Sequence, residues 1–514
     1  MATQATSPVS DSFSISALLL PTIAAIVAYE TVQCLHSAFF HPLSGIPGPF
    51  LARFSRLWIF QQITGLKRCF AIHQAFKDYN SDIIRIAPNV VAFQDAQAMP
   101  KLYGKTAIKA PLYRGIVFNE TDHAMTREQP EDHIMVKKLT MSPYAPTAIY
   151  QWDAEIREYT QDFIKDIIRR SKNGKEPVDI MYAARHLALD IVVTVALRER
   201  LYIVRDNPDH WIPHALDGIL NQTGIRTTLY PFLAKFMEYV PAKPLKDLFA
   251  CEKRLAAYSL DLLNKAKRDL QESGTRGPSK ETLISTMLTT PMANGRILDD
   301  KHIVAELVGH LFAGTDTVST TTGYLFYELS KQPRVVARLY DEIKDLTDDP
   351  LEIPSLKAIN GLPYLNCVIR EALRVYGAAP SSLPRIVPEG GAVVCGKYLP
   401  AGTEVCAQGW TSHRHKAAWG ADADQFRPER WENETDLMRA HFMPYGLSGS
   451  PRQCTGHNLA TLELKLVCAA LIRNFKISPA PETTDKSLFM LDTFLIGPVS
   501  HQMKMMFELR QAHH

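Results

Sequence analysis

Between Tyr445 and Gly456 the chain reads Tyr-Gly-Leu-Ser-Gly-Ser-Pro-Arg-Gln-Cys-Thr-Gly, and an apolar stripe at helical spacing, Leu459 through Phe475, begins directly behind it. Gly446, Gly449 and Pro451 let the backbone bend sharply and turn several N–H groups toward one sulfur, that of Cys454. The positive end of the following helix points back at the thiol and favours its deprotonated, metal-ligating form. Such a segment has to be a loop held against the start of a buried helix. Taken alone, one cysteine at a turn is most simply a buried free thiol; three motifs far away in the sequence outweigh that reading.

Length alone, 514 residues, suggests about three domains. No Ser/Gly linker, low-complexity run or internal repeat divides the chain, and Ser273-Gly-Thr-Arg-Gly-Pro-Ser-Lys280 reads as a surface loop between helical patterns. One large catalytic unit over 51–514 is therefore expected. A net charge of +3, with no basic tract interleaved with aromatics, excludes a nucleic-acid reading. The eight cysteines, at 34, 69, 251, 367, 395, 406, 454 and 468, form no Cys-x-x-Cys pair and no zinc-finger spacing. They point to a reducing compartment.

The N-terminus differs from the rest. Phe13 to Tyr29 carries no charge, and the stretch to Phe40 adds only Glu30 and His36, which reaches the length of about 17 residues needed to cross a bilayer. Cationic residues (Arg53, Arg56, Lys67, Arg68) stand only on the C-terminal side, which places the body of the protein in the cytosol. The expected organisation is a short lumenal segment 1–12, a single-pass anchor helix over 13–40, and a stiff hinge over 41–50 carrying His41-Pro-Leu-Ser-Gly-Ile-Pro-Gly-Pro49. A cleaved signal peptide is the rival; no Lys or Arg precedes the run to support it.

Helical periodicity fits 151–172, 181–200, 248–271, 300–330, 333–346, 364–376 and 456–474. Short strands are expected at 83–93, as a hairpin, at 392–395, and in 398–406, where Pro400-Ala-Gly402 supplies a turn. The sum is a mainly α, α-rich α+β domain with a small β-subdomain.

Two constellations on these helices ask for a reason. Ala313-Gly-Thr-Asp-Thr317 sets an acid and two threonines in an otherwise apolar helix. Glycine costs helix stability there, and threonine hydroxyls can bond back to the preceding turn. With Gly314 opening a groove, Asp316 and Thr317 can relay protons to a ligand lodged in it. Glu371 and Arg374 stand one turn apart on an apolar helix, so the pair is expected to be buried and to need a third member, which Arg430 in Phe426-Arg-Pro-Glu-Arg-Trp431 supplies.

These motifs in this order resemble the cytochrome P450 family of haem-thiolate monooxygenases, from the hinge at 42–49 to the terminal segment. The resemblance implies the family's fold and haem b (iron protoporphyrin IX) with Cys454 as axial thiolate. It makes Ala313, Gly314, Asp316 and Thr317 the oxygen-activation segment and Glu371, Arg374 and Arg430 a structural triad. Arg385 and Arg452 then pair with haem propionates, and Gly456 lies in the haem-binding loop. Where the family carries Trp and Arg four apart over one propionate, this chain has His133 and Lys137; where an aromatic stands seven before the ligand, Tyr445 stands nine before, a two-residue insertion in Leu447–Ser450. Lysine lacks the bidentate fork of arginine.

By the same analogy the substrate pocket is lined by the 105–125 loop, Gly309, His310, Ala313, the segment Ala378 to Leu383 and Phe494 to Ile496, with Ser381 and Ser382 as polar handles. The implied activity is insertion of one oxygen atom from O2 into a lipophilic small molecule of fungal secondary metabolism. Electrons would come from NADPH-cytochrome P450 reductase, docking partly on Lys137 and Lys138 at the proximal face, and the enzyme would sit in the endoplasmic reticulum membrane. Two alternatives are a haem-thiolate isomerase or dehydratase and a non-catalytic membrane-tethered haem-binding protein. Neither needs the Asp316-Thr317 pair.

Overall fold

The computed structural model describes residues 15–229, 237, 239–273 and 280–510. The expected lumenal segment 1–12, the first two residues of the expected anchor and the 274–279 part of the expected surface loop lie outside the described residues.

Ten helices build most of the body and position the site: α1 (Ile15–Phe39), α2 (Pro130–Met141), α3 (Asp153–Ser171), α4 (Ile180–Leu197), α5 (Trp211–Leu229), α6 (Lys243–Ser273), α7 (Asp300–Ser330), α8 (Pro333–Ile343), α9 (Pro363–Tyr376) and α10 (His457–Asn474). The seven expected helices are all present, most with ends shifted by a few residues. The expectation missed α2, which opens on Pro130, and α5, whose Pro213, Gly218 and Gly224 mask its periodicity. Side chains of α3, α4, α7, α9 and α10 merge into one large core. α7 crosses it, with apolar residues buried on nearly every side.

Among the described residues, twelve short strands form four sheets: β1 (Ile83–Ala87), β2 (Val90–Phe93), β3 (Ile108–Lys109), β4 (Val178–Asp179), β5 (Arg385–Ile386), β6 (Ala392–Val394), β7 (Lys397–Leu399), β8 (Glu404–Cys406), β9 (Phe475–Pro479), β10 (Met490–Asp492), β11 (Ile496–Pro498) and β12 (Lys504–Leu509). The largest has the order β1-β2-β8-β5-β3. The β1–β2 hairpin falls where expected. The turn at Pro400–Gly402 does not pair its two flanking runs. β7 pairs with β6 across Cys395 and Gly396, both left-handed (φ 47° and 71°), whereas β8 lies between β2 and β5. Two successive left-handed residues twist a two-residue turn the way a hairpin needs, and that signal outweighed the Pro-Ala-Gly turn.

α1 runs through the expected anchor, and Ile23, Ile26, Val27 and Val32 stand exposed on it. Among the described residues, the one helix that meets a length and hydropathy criterion for spanning a membrane is α4, which is mostly buried in the protein core. The C-terminal end of α1 is tied to the body: Arg85, itself buried, donates to Ser37 O and Oγ, each at 3.0 Å, and Ser37 Oγ donates to Arg53 O at 2.8 Å.

Candidate active site

The loop before α10 closes on itself. The Cys454 N–H donates to Tyr445 O at 2.8 Å, while Ser450 N donates to Leu447 O at 3.2 Å and Gly449 (φ 72°) turns the chain. The two additional residues are thus taken up in a turn at Leu447–Ser450, and Tyr445 keeps a packed position with its hydroxyl 3.0 Å from Thr461 Oγ1. Gly456 is the N-cap of α10, and its backbone N–H points at the Cys454 sulfur. Cys454 is open on one side although protein encloses the loop, so the thiol lines an internal space. Burial pushes the thiol up, with Lys137 and the Gly456 N–H opposing it. The Gly456 N–H at the helix terminus thus acts in the expected direction, against burial.

Lys137 is buried on α2, with Nζ donating to Gln453 O and, at 2.8 Å, to Thr455 Oγ1. It clasps the loop on both sides of Cys454, and burial lowers it to about 8. The expected exposed pair of cations is reduced to Lys138, since Lys137 faces inward. Its helix neighbour His133 reaches the same loop, with Nε2 3.0 Å from Pro451 O.

Arg385, Arg452 and Lys109 meet where β3 pairs with β5; Lys109 stands opposite Arg385 in the register. Arg452 donates to Ala107 O (2.7 Å), Glu128 O (3.1 Å) and Arg127 O (3.2 Å). Arg385 donates from Nη1 to Tyr113 Oη (2.7 Å), Pro384 O and Leu383 O, while its buried Nε has no partner. Lys109 Nζ donates to Ala124 O (3.0 Å) and Met125 O (2.6 Å). Burial, then repulsion from Arg452, Arg385 and Lys137, drives Lys109 well below the usual lysine range.

Two carboxyls stand near this group: Glu306 of α7, raised to about 7 by burial, and Glu131, which acts on Arg452. Three enclosed cations beside two carboxyls, an orphaned guanidinium N–H and an enclosed thiol would suit a dianionic, iron-bearing macrocycle, which Cys454 would hold through its sulfur. Lys109 and Tyr113 fall in the 105–125 loop expected to line the pocket, but their place beside Arg385, and Glu306 altogether, left no signal in the sequence, because their partners are strands and turns elsewhere in the chain.

On α7, Ala313 is exposed and Thr317 half-buried one turn later, an open strip in a helix otherwise covered. Tyr144 connects this strip to the ligand loop. It lies near Cys454, and its hydroxyl is 3.0 Å from His310 Nδ1, one turn before Ala313. Thr317 Oγ1 donates back to Ala313 O at 2.8 Å, the expected bond to the preceding turn. Gly314 corrects the expected groove: a Cβ there would stand 2.8 Å from Val192 Cγ2, so the glycine faces α4 and serves close helix approach.

Asp316 is buried and held by Arg185 of α4, Nε to Oδ1 at 2.6 Å; Arg185 Nη2 also meets the half-exposed Asp217 at 2.7 Å. Burial raises the Asp316 carboxyl while Arg185 opposes. The result is a charged chain from the open strip's helix to the surface.

The Glu371 cluster forms as expected. Arg374 bonds Glu371 through Nε (2.9 Å) and Nη2 (2.8 Å), and Arg430 Nε donates to Oε1 at 2.9 Å. Trp431 Nε1 (3.0 Å) and Arg427 N (2.8 Å) complete the shell. Arg374 Nη1 satisfies His413 O and Ala423 O, so the cluster ties α9 to the segment leading to the Cys454 loop.

The expected polar handles are spent inside the protein. Ser381 Oγ donates to Asp492, and Ser382 is buried beside Cys406. Phe494 (φ 88°) and Leu495 turn between β10 and β11, and Ile496 N donates to Ala378 O at 2.8 Å, joining two expected pocket segments. A groove of about 400 Å³ between Tyr324, Tyr376, Trp410 and Phe489 lies toward the other end of α7 and includes none of the site residues.

A family model described as Cytochrome P450 matches residues 72–505. Curated relatives align over most of their length. Pisatin demethylase of Fusarium vanettenii is 28% identical over 467 residues, 88% of this chain and 87% of the relative. Benzoate 4-monooxygenase bphA of Aspergillus niger is 28% identical over 488 residues, 90% and 92% of the two chains. Cytochrome P450 monooxygenase cypX of Dothistroma septosporum is 25% identical over 493 residues, 92% of each.

Proposed function

Because this chain belongs to the cytochrome P450 family of monooxygenases, we propose that it holds haem b on Cys454 and inserts one oxygen atom from O2 into a lipophilic small molecule of fungal secondary metabolism. The bound haem supplies the redox chemistry that activates O2. The protein's own residues do the rest. Lys137 and the Gly456 N–H steady the sulfur, while Arg385, Arg452 and Lys109 receive the propionates. Thr317, on the open strip, orders a water over the distal face, and Asp316 with Arg185 and Asp217 connects that water to solvent. Electrons come from an NADPH-cytochrome P450 reductase. α1, with its exposed apolar side chains, anchors the enzyme in the endoplasmic reticulum membrane with the body in the cytosol.

The single observation that carries this reading is the enclosed, open-sided thiol of Cys454 beside the buried Lys137, itself close to Lys109 and Arg452. The names of the relatives, a benzoate 4-monooxygenase and a pisatin demethylase, differ in substrate, so only the reaction class transfers. The test is purified enzyme with reductase, NADPH and a panel of terpenoid, polyketide and indole compounds under isotopically labelled O2. One labelled oxygen in a product is expected. Rearranged product without NADPH consumption would make the enzyme an isomerase or dehydratase, and haem binding with no turnover on any compound would favour the tethered binding protein.

A further inference from the structure

Two segments far apart in the chain converge on one buried carboxylate of a third. Glu252, on α6, accepts the Asn119 backbone N–H at Oε1, and at Oε2 it accepts Gln222 Nε2 and, at 2.8 Å, Arg226 Nη1. Gln222 and Arg226 stand one turn apart on α5, and Arg226 Nη1 also donates to Val117 O at 3.2 Å. α5 lies directly on the 111–116 turn, where a Cβ at Gly115 would stand 3.0 Å from Thr227 Cγ2.

The segment so held is a strained one. Asn119 and Glu120 are successive left-handed residues, φ 49° and 55°, inside a turn closed by Thr121 N donating to Phe118 O at 2.9 Å. Non-glycine residues in that region persist only where their surroundings fix them, and a charged acceptor on the Asn119 N–H does so. The turn carries Phe118, which stacks on His123 (4.8 Å, 10°) and stands edge-on to Phe312 at 6.0 Å. Phe118 Cε2 lies 3.6 Å from where a Gly309 Cβ would be, one turn before the open strip at Ala313.

We propose that Glu252 is a positioning residue for the substrate pocket: by drawing α5 and the Phe118–Thr121 turn onto α6, it sets how far Phe118 reaches over α7 and so the bulk of substrate that enters. The proposal rests on the monooxygenase reading for the pocket's location. Glu252 touches no substrate; it acts through the backbone of Asn119.

The test uses the full-length, haem-loaded enzyme with two iron-binding probes, imidazole and the bulky clotrimazole, titrated spectrally, plus hydrogen exchange of peptides spanning 115–123. Glu252→Gln keeps the side chain's size but turns one acceptor oxygen into a donor facing other donors. Exchange in 115–123 should quicken about tenfold, and the clotrimazole-to-imidazole affinity ratio should shift about tenfold toward the bulky probe, as loss of a charge-assisted hydrogen bond implies. Exchange and ratio both within about twofold of wild type, with the ferrous carbonyl band intact, overturn the proposal.

If Glu252→Gln fails to load haem, Arg226→Met, which leaves the carboxylate and its bonds to Asn119 and Gln222, should give about a threefold change in the same direction. No change in that variant overturns the proposal equally. A wild-type protein that shows no azole shift and no carbonyl band defeats the haem-thiolate reading instead, while the exchange measurement, which needs no haem, still decides whether Glu252 holds the turn.

Discussion

Cys454 sits where three effects compete: burial raises the thiol, and Lys137 and the Gly456 N–H lower it. The proposed iron on Cys454 would add to the two groups that favour the thiolate. Cys454→Ala is expected to abolish the red-shifted thiolate-type band of the ferrous carbonyl complex without unfolding the chain; a surviving band means another ligand. Thr317 is placed differently, on the open strip with its hydroxyl bonded to Ala313 O. General acid–base groups contribute about 10²–10⁴ in rate. Thr317→Ala should cut oxygenated product per NADPH by about tenfold or more while haem content stays the same, with the lost electrons appearing as peroxide. Undiminished coupling would remove Thr317 from the proton path. Cys454 and Glu371 were legible in the sequence because their signals lie in short local runs. Arg185 and Lys109 were not, since the partner of Arg185 is on another helix and Lys109 is defined by a strand register.

At the scale of elements, the contact between α4 and α7 rests on Gly314, whose missing side chain lets Val192 Cγ2 approach to 2.8 Å of where a Cβ would be. Gly314→Ala gains roughly 1 kcal/mol of helix propensity and loses about 1–3 kcal/mol to overpacking against a stiff β-branched neighbour. A net destabilisation of about 1 kcal/mol is expected, reduced when Val192→Ala is added. Additive effects of the two substitutions in denaturant titrations would show that they do not touch. The sequence marked Gly314 as unusual but assigned it to the wrong face, because one glycine carries no direction along the helix. Strand pairing was half legible for a similar reason. Apolar, β-branched runs on either side of Pro88-Asn89 located β1 and β2, whereas the β6–β7 turn depends on a left-handed Cys395 that no residue preference announces.

The whole molecule keeps several imidazoles neutral in its interior, and that sets its response to acid. His413 Nε2 accepts the Met443 N–H at 2.9 Å, so Nδ1 donates to Arg374 O, also at 2.9 Å, and a second proton has no place. Burial lowers His413 to about 3 and His123, His186 and His441 to about 4. Each therefore contributes stability that is complete above its unfolded pKa, about 6.5, and lost as pH falls toward the folded value, with a slope up to about 1.4 kcal/mol per pH unit. Glu306, raised to about 7, Asp190, raised to about 6, and Glu463, raised well above its usual range, work in the opposite sense and offset part of this. The lowered imidazoles outnumber them, with His73 at about 4 and His133 and His310 at about 3 beside the four above, so unfolding at pH 5 should take up protons and Tm should fall steadily from pH 7 to 5. A flat Tm over that range would mean that these rings are already charged in the fold.

The boundary between anchor and body offers the final prediction. α1 is apolar and exposed along Ile23 to Val32, yet its last turn belongs to the domain, since Ser37 supplies two acceptors to the buried Arg85, whose Nη1 already has no partner. A cut after residue 30 removes most of the exposed apolar stretch, keeping Val32, and leaves these bonds; a cut after residue 40 removes both. Leaving a buried guanidinium with lost partners costs about 1–3 kcal/mol. Both truncated proteins should move from membrane to soluble fractions with the carbonyl band intact, and the longer truncation should unfold at lower denaturant by that amount. Equal stability of the two would show that Arg85 finds other acceptors once Ser37 is gone. Tight membrane association of both would place the anchoring surface on the catalytic domain itself, where Phe50, Leu51, Leu57 and Phe60 stand exposed directly after the hinge.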